Sequence, residues 1–131
     1  VAARDAFPSW SQMPLSERQP IILRDVRPDM RLSCDEIFGP ELPVMRFTDD
    51  DDEIAMANDT TYGLAAYVYT TNLSRGLRAA AGIDSGSVCV NEVHYAVHLP
   101  HGGVKQSGVG KDCSRYSIEE YLTVKRVSVL L

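Results

Sequence analysis

Residues 64–70 (L-A-A-Y-V-Y-T), 72–82 (N-L-S-R-G-L-R-A-A-A-G) and 87–91 (S-V-C-V-N) decide the fold. The first and last are short runs of apolar, aromatic and β-branched residues, and they predict strands buried on both faces. Between them Asn72 is placed to cap a helix, Leu73, Leu77, Ala80 and Ala81 fall on one side of it, and Gly82 ends it. Strand, helix and strand in so short a span predict a crossover into a parallel sheet. Such sheets take ligands beyond the carboxyl ends of their strands, and Asn91 with the residues after it stands at such an end.

Working outward, residues 42–47 predict a further strand, followed by the acid run 49–53 (D-D-D-D-E). The run lacks the alternate spacing and the glycine of a calcium loop, and it suits the positive end of a helix carrying Ile54, Met56 and Ala57. Residues 58–63 have turn chemistry. Upstream, residues 20–26 (P-I-I-L-R-D-V) are β-rich and residues 27–30 (R-P-D-M) form a turn. Residues 1–19 predict a helical segment with Phe7 and Trp10 on its apolar side, broken by Pro8 and Pro14, so a boundary falls near Gln19 and Pro20. At the other end, residues 122–131 (L-T-V-K-R-V-S-V-L-L) alternate apolar and polar and predict a terminal strand that pairs with another chain.

Composition excludes several function classes. The chain has 131 residues, a formal net charge of -5 and 13 scattered Lys and Arg, so it lacks the basic field that nucleic acid requires. No apolar run is long enough to span a bilayer and no signal-peptide pattern opens the sequence, which predicts a soluble, cytoplasmic protein with no membrane partner. Three cysteines, Cys34, Cys89 and Cys113, are an odd number without close pairing, so reduced thiols are expected.

Residues 100–121 (P-H-G-G-V-K-Q-S-G-V-G-K-D-C-S-R-Y-S-I-E-E-Y) carry the chemistry-bearing patterns. Gly103 and Gly108 have phosphate-loop spacing, but Val109 stands where lysine is needed. The dinucleotide fingerprint fails as well, because Cys113 occupies its third glycine position. Ile118, Tyr121 and Leu122 fall at helical spacing and predict a packed face that pins the loop, with Glu119 and Glu120 turned away. His94, His98 and His101 would share a zinc-binding face only on a helix, which Pro100 and the neighbouring glycines oppose, so no metal is expected. Cys89 reads as inert core, and Cys34 and Cys113 lack a histidine nearby in sequence to activate them.

Several of these stretches together resemble the C-terminal part of the NAD(P)-dependent aldehyde dehydrogenase superfamily. Residues 35–40 (D-E-I-F-G-P) resemble its E-E-I-F-G-P motif, and residues 57–66 (A-N-D-T-T-Y-G-L-A-A) its A-N-D-T-x-Y-G-L-A-A segment. Val90-Asn91 followed by residues 100–108 (P-H-G-G-V-K-Q-S-G) resemble V-N…P-F-G-G-x-K-x-S-G. The resemblance implies an α/β fold: a parallel-sheet portion of the catalytic domain over residues 20–121, then an oligomerisation strand over 122–131 that joins a second copy or a full-length relative. It implies an NAD or NADP cofactor, with Glu36 on the nicotinamide-side ribose and Phe38 against the nicotinamide. It also implies an aldehyde entrance along residues 92–101, including His94, Tyr95 and His101. His101 stands where the family often has Phe, as in aminoaldehyde and betaine-aldehyde members, which hints at a polar or cationic substrate. None of the three cysteines falls in the family's nucleophile context, and the family's glutamate base and cofactor-binding domain have no counterpart. Residues 2–19 resemble an early family helix, so the expectation is a chain joining two distant family segments near Pro20, truncated and without a catalytic residue of its own; the alternative is a non-catalytic assembly protein built on the same remnant.

Overall fold

The computed structural model describes residues 21–131 together with Gln12 and Pro14. The predicted helix over residues 1–19 and its boundary at Pro20 lie outside them. The chain divides into two compact units, Val1–Arg46 and Phe47–Leu131.

In the first unit β1 (Ile21–Leu23) runs parallel to β2 (Glu41–Pro43), with Ile21 opposite Glu41 and Leu23 opposite Pro43. The second strand is shorter than the predicted 42–47 because its pairing ends where β1 ends, with Val44 N–H donating to the Leu23 carbonyl at 2.8 Å. Between the strands, the turn around Pro28 closes through Met30 N–H on the Arg27 carbonyl at 3.0 Å and leads into the one-turn helix α1 (Arg31–Cys34).

The second unit begins with α2 (Asp50–Asn58), and the acid run is its start, as expected. Asp49 caps it by accepting from the N–H groups of Asp51 and Asp52 at 3.0 and 2.9 Å. Asp50 also pairs with Arg75 and, at 3.0 Å, with Arg78, so the acids dock onto the next helix as well.

The central motif forms as predicted: β4 (Ala65–Val68), α3 (Leu73–Gly82) and β5 (Ser87–Val90), with β4 and β5 parallel in the register Ala65 to Ser87 through Val68 to Val90. Asn72 caps α3 by accepting from the N–H of Arg75 at 3.1 Å. Two packing expectations are corrected. The buried residues of α3 are Gly76 and Ala79, whereas Leu73 and Leu77 are 70 and 59 % exposed. The helix meets β5 through its smallest side chains: a Cβ on Gly76 would lie 2.9 Å from a Val90 methyl, so only glycine permits this approach. Nor is β4 buried on both faces, since Ala65 and Tyr67 are exposed while Val68 is 6 % exposed.

A second pairing was invisible in the sequence. β3 (Tyr62–Gly63) lies antiparallel to β6 (Val104–Lys105), and Gly63 N–H donates to the Ser107 hydroxyl at 2.9 Å. Each strand has two residues, too few to show a period. Around them Asn58 ties the end of α2 to the end of α3, donating to the Gly82 carbonyl at 2.8 Å and accepting from Asp84 N–H at 2.7 Å.

After β6 comes α4 (Ser114–Glu119). The expected apolar pin fails, because Ile118, Tyr121 and Leu122 are 63, 91 and 63 % exposed. A polar pin replaces it: the Glu120 carboxylate accepts from Lys111 N–H at 2.7 Å, and Lys111 Nζ donates to the Gly102 and Gly103 carbonyls at 3.0 Å each. Residues 122–131 form no strand within this chain and expose Val124, Val127, Val129, Leu130 and Leu131. A strand needs a paired neighbour to exist as one, and none of the described strands offers them an edge contact.

The closest glycine contact gives a test. A Cβ on Gly86 would fall 1.7 Å from the Gly102 carbonyl oxygen. Backbone must move to admit it, so Gly86→Ala is expected to lower unfolding stability by about 2 kcal/mol or more, measured by urea denaturation.

Candidate functional site

The site is built where β5 ends. Asn91 takes a left-handed backbone with φ of 59°. Its amide then clasps the end of β4, Oδ1 accepting from Thr70 N–H and Nδ2 donating to the Thr70 carbonyl, both at 2.8 Å. The clasp stands in for one more rung of the parallel ladder and turns the main chain away from the sheet.

The chain then lines a cavity of about 180 Å³ walled by β5 residues Val88 and Cys89 and by Glu92, His94, Tyr95 and His101. The sequence-predicted entrance residues His94, Tyr95 and His101 therefore share one wall. His98 does not line it, and among the described residues no group of three His, Cys, Asp or Glu is placed to hold a metal ion. Cys89, expected as inert core, is only half-buried and lies on the wall, with its thiol 3.9 Å from the His94 carbonyl. A wider hollow of about 590 Å³ lies beside Asn91, lined by Tyr69, Thr70, Thr71 and Leu73. It carries no carboxylate, imidazole or thiol, so it offers little acid–base chemistry.

Two contacts of the cavity residues, to Asp112 and to Cys113, were missed by sequence reasoning. Asp112 and His101 exchange backbone hydrogen bonds at 2.8 and 2.9 Å, and His101 Nδ1 lies 2.7 Å from Asp112 Oδ1. A carboxylate only accepts, so the imidazole donates from Nδ1. The Tyr95 ring stands edge-on to the His101 ring with centroids 5.5 Å apart, and its hydroxyl lies 3.0 Å from Cys113 Sγ. The contacting pairs are 11 and 18 residues apart in the chain, and no local spacing rule reaches that far. The Cys113 side chain, by its hydrogen bond first and then its charge, raises the Tyr95 phenol above the ordinary tyrosine range, and the nearby Asp112 charge acts in the same direction.

In the first unit, Glu36 and Phe38 stand on the turn after α1. Phe38 is 93 % exposed, and Glu36 is exposed and belongs to none of the ion pairs among the described residues.

A parallel β–α–β unit whose last strand lies beside a cavity lined by the loop that follows it is part of an α/β fold. The profile of the aldehyde dehydrogenase family matches residues 19–127, and the chain belongs to that family. It is 44 % identical over 110 residues to the mitochondrial succinate-semialdehyde dehydrogenase of Arabidopsis thaliana, covering 83 % of this chain and 21 % of the relative. It is likewise 44 % identical over 112 residues to an NADP(+) succinate-semialdehyde dehydrogenase of Escherichia coli, covering 85 and 23 %. Among solved structures, a betaine aldehyde dehydrogenase of Staphylococcus aureus in complex with NAD+ superposes with a TM-score of 0.77 at 35 % identity, covering 79 % of this chain and 21 % of that one. The chain thus spans about a fifth of the length of the relatives it matches. No described helix is long and apolar enough to cross a membrane.

The Tyr95 shift has a sign that can be checked. A raised phenol favours the neutral ring in the folded state, so its small stabilisation is present below the ordinary tyrosine pKa of about 10 and is lost as pH climbs through the raised value. Titration followed by aromatic NMR is expected to place Tyr95 above free tyrosine, and Cys113→Ala to bring it back down. An unmoved midpoint in that variant would assign the shift to another cause.

Proposed function

We propose that residues 20–121 form part of an aldehyde dehydrogenase catalytic domain with its aldehyde entrance along residues 92–101, serving NAD(P)+-dependent oxidation of an aldehyde to a carboxylic acid. The observation that carries this reading is the cavity between β5 and the loop after it, lined by Cys89, Glu92, His94, Tyr95 and His101. A short aldehyde matches its size, and the imidazoles, phenol and Glu92 carboxylate supply polar contacts beside Val88, Ala96 and Leu99. The His101 side chain suits a polar or cationic substrate better than the phenylalanine the family often carries there.

Glu36 and Phe38 fit a dinucleotide's nicotinamide end. An exposed carboxylate outside any described ion pair can accept from two ribose hydroxyls, and an exposed aromatic ring can pack against the nicotinamide. When bound, NAD or NADP supplies the hydride acceptor. The family chemistry also needs a cysteine nucleophile, and Cys34, Cys89 and Cys113 all fall outside that sequence context. The purified chain mixed with NAD+ or NADP+ and a series of aldehydes is therefore expected to give no rise in reduced cofactor, while added millimolar aldehyde shifts the NMR signals of Tyr95 and His101. Cysteine-dependent turnover, or signals that ignore the aldehyde, would overturn this reading.

A second reading concerns residues 122–131. Their row of exposed apolar side chains supports their serving as an oligomerisation strand that adds to a second copy or to a full-length relative. Free cysteines support a reducing, cytoplasmic setting. Sedimentation is expected to show a dimer or larger species that Val127→Lys converts to monomer; a monomeric wild-type chain would count against it.

A further inference from the structure

Tyr95, His101, Asp112 and Cys113 form a closed circuit of contacts. Tyr95 touches His101 ring edge to ring face, His101 bonds Asp112, Asp112 is the chain neighbour of Cys113, and Cys113 returns to the Tyr95 hydroxyl. Only the first two line the cavity. Tyr95 is 64 % exposed on a loop, so burial alone does not fix its ring. The circuit holds the ring at two places, its hydroxyl and its T-shaped contact with the His101 ring. Cys113 in turn is held in an unusual backbone, φ 59° and ψ 173°, which a non-glycine residue keeps only when its surroundings impose it. The imposing contacts are on both sides: the His101–Asp112 backbone pair before it and Ser114 N–H on the Val97 carbonyl at 2.8 Å after it.

We propose that Asp112 and Cys113, which do not line the cavity, are positioning residues that hold Tyr95 and His101 in place as one of its walls. What passes that wall rests on the entrance reading above, whereas the circuit itself does not. Asp112 acts through the Nδ1–H of His101 and sets the orientation of the imidazole. The imidazole and Cys113 between them set the Tyr95 ring, which in turn covers the Cys113 thiol. The exposed Cys34 thiol provides an internal reference for that cover.

The test uses the full chain and no aldehyde. Alkylation by iodoacetamide at fixed pH, followed peptide by peptide in the mass spectrometer, gives the rate at Cys113 relative to Cys34. Asp112→Ala and Tyr95→Phe are each expected to raise that ratio by roughly three- to tenfold, the scale of one released hydrogen bond. Asp112→Asn keeps an oxygen that can accept from the imidazole and is expected to stay near the wild-type ratio. Tyr95 ring signals should shift in Asp112→Ala and not in Asp112→Asn, while the amide signals of α3 and β5 remain in place. A Cys113 ratio and Tyr95 signals unchanged in Asp112→Ala would overturn the proposal, and so would an Asp112→Asn variant that behaves like Asp112→Ala. Loss of the α3 and β5 signals in Asp112→Ala leaves Tyr95→Phe to decide by the same ratio. Because no substrate is present, a failed circuit and a failed entrance reading give separate results.

Discussion

The parallel pairing of β4 with β5 is the constraint on which the second unit depends. Two parallel strands cannot be joined by a tight turn, so the chain must leave one end, cross the sheet and return. Helix α3 makes that crossing, and it lies close to the sheet because Gly76 and Ala79 present almost nothing to the strands. The ladder ends in a side chain instead of another rung. The Asn91 amide bonds both main-chain polar groups of Thr70, and the left-handed turn at Asn91 sends the following loop out over the cavity. The site's location is thus a consequence of how the ladder stops.

Local signals were legible in the sequence and distant ones were not. Asp49 and Asn72 are short polar residues next to helical runs, and both cap through bonds two or three residues ahead. The strand–helix–strand order was equally readable, and the segment quoted for its motif resemblance does bring His94, Tyr95 and His101 to one cavity. The buried face of α3 was misjudged because periodicity ranks Leu73 and Leu77 above glycine, whereas close packing on a strand selects the smallest side chain. β3 with β6, and the pairs His101–Asp112 and Tyr95–Cys113, depend on chain segments meeting after the fold has formed.

Much of the apolar surface remains uncovered in this chain. Among the described residues the buried hydrophobic side chains are Val26, Val68 and Ala79, while Tyr67, Tyr69, Leu73 and Leu77 stay at least half exposed. Burial on that scale offsets little of the conformational entropy of ordering the chain. Specific polar contacts, such as Asn58 between two helix ends and Asp50 between two arginines, define the arrangement more than a core does. Exposed pairs of this kind contribute about 1 kcal/mol or less each. Their effect is to specify geometry, and stability must come from covering the apolar faces.

The glycine-rich stretch shows why spacing alone misleads about charge. A phosphate cradle turns backbone N–H groups toward its ligand and is therefore positive. Here the carbonyls of Gly102 and Gly103 converge on Lys111 Nζ, and those of Asn58 and Thr60 converge on Lys105 Nζ at 3.1 and 3.3 Å. The loop supplies acceptors to its own Lys111, and its Lys105 is taken up by the carbonyls of residues 58 and 60 outside it. Both ammonium groups are thereby committed to holding backbone and are poorly placed to attract an anion. The glycines serve close approach between backbone segments, as the Gly86 and Gly102 contact shows, and the polarity of the stretch is opposite to that of an anion site.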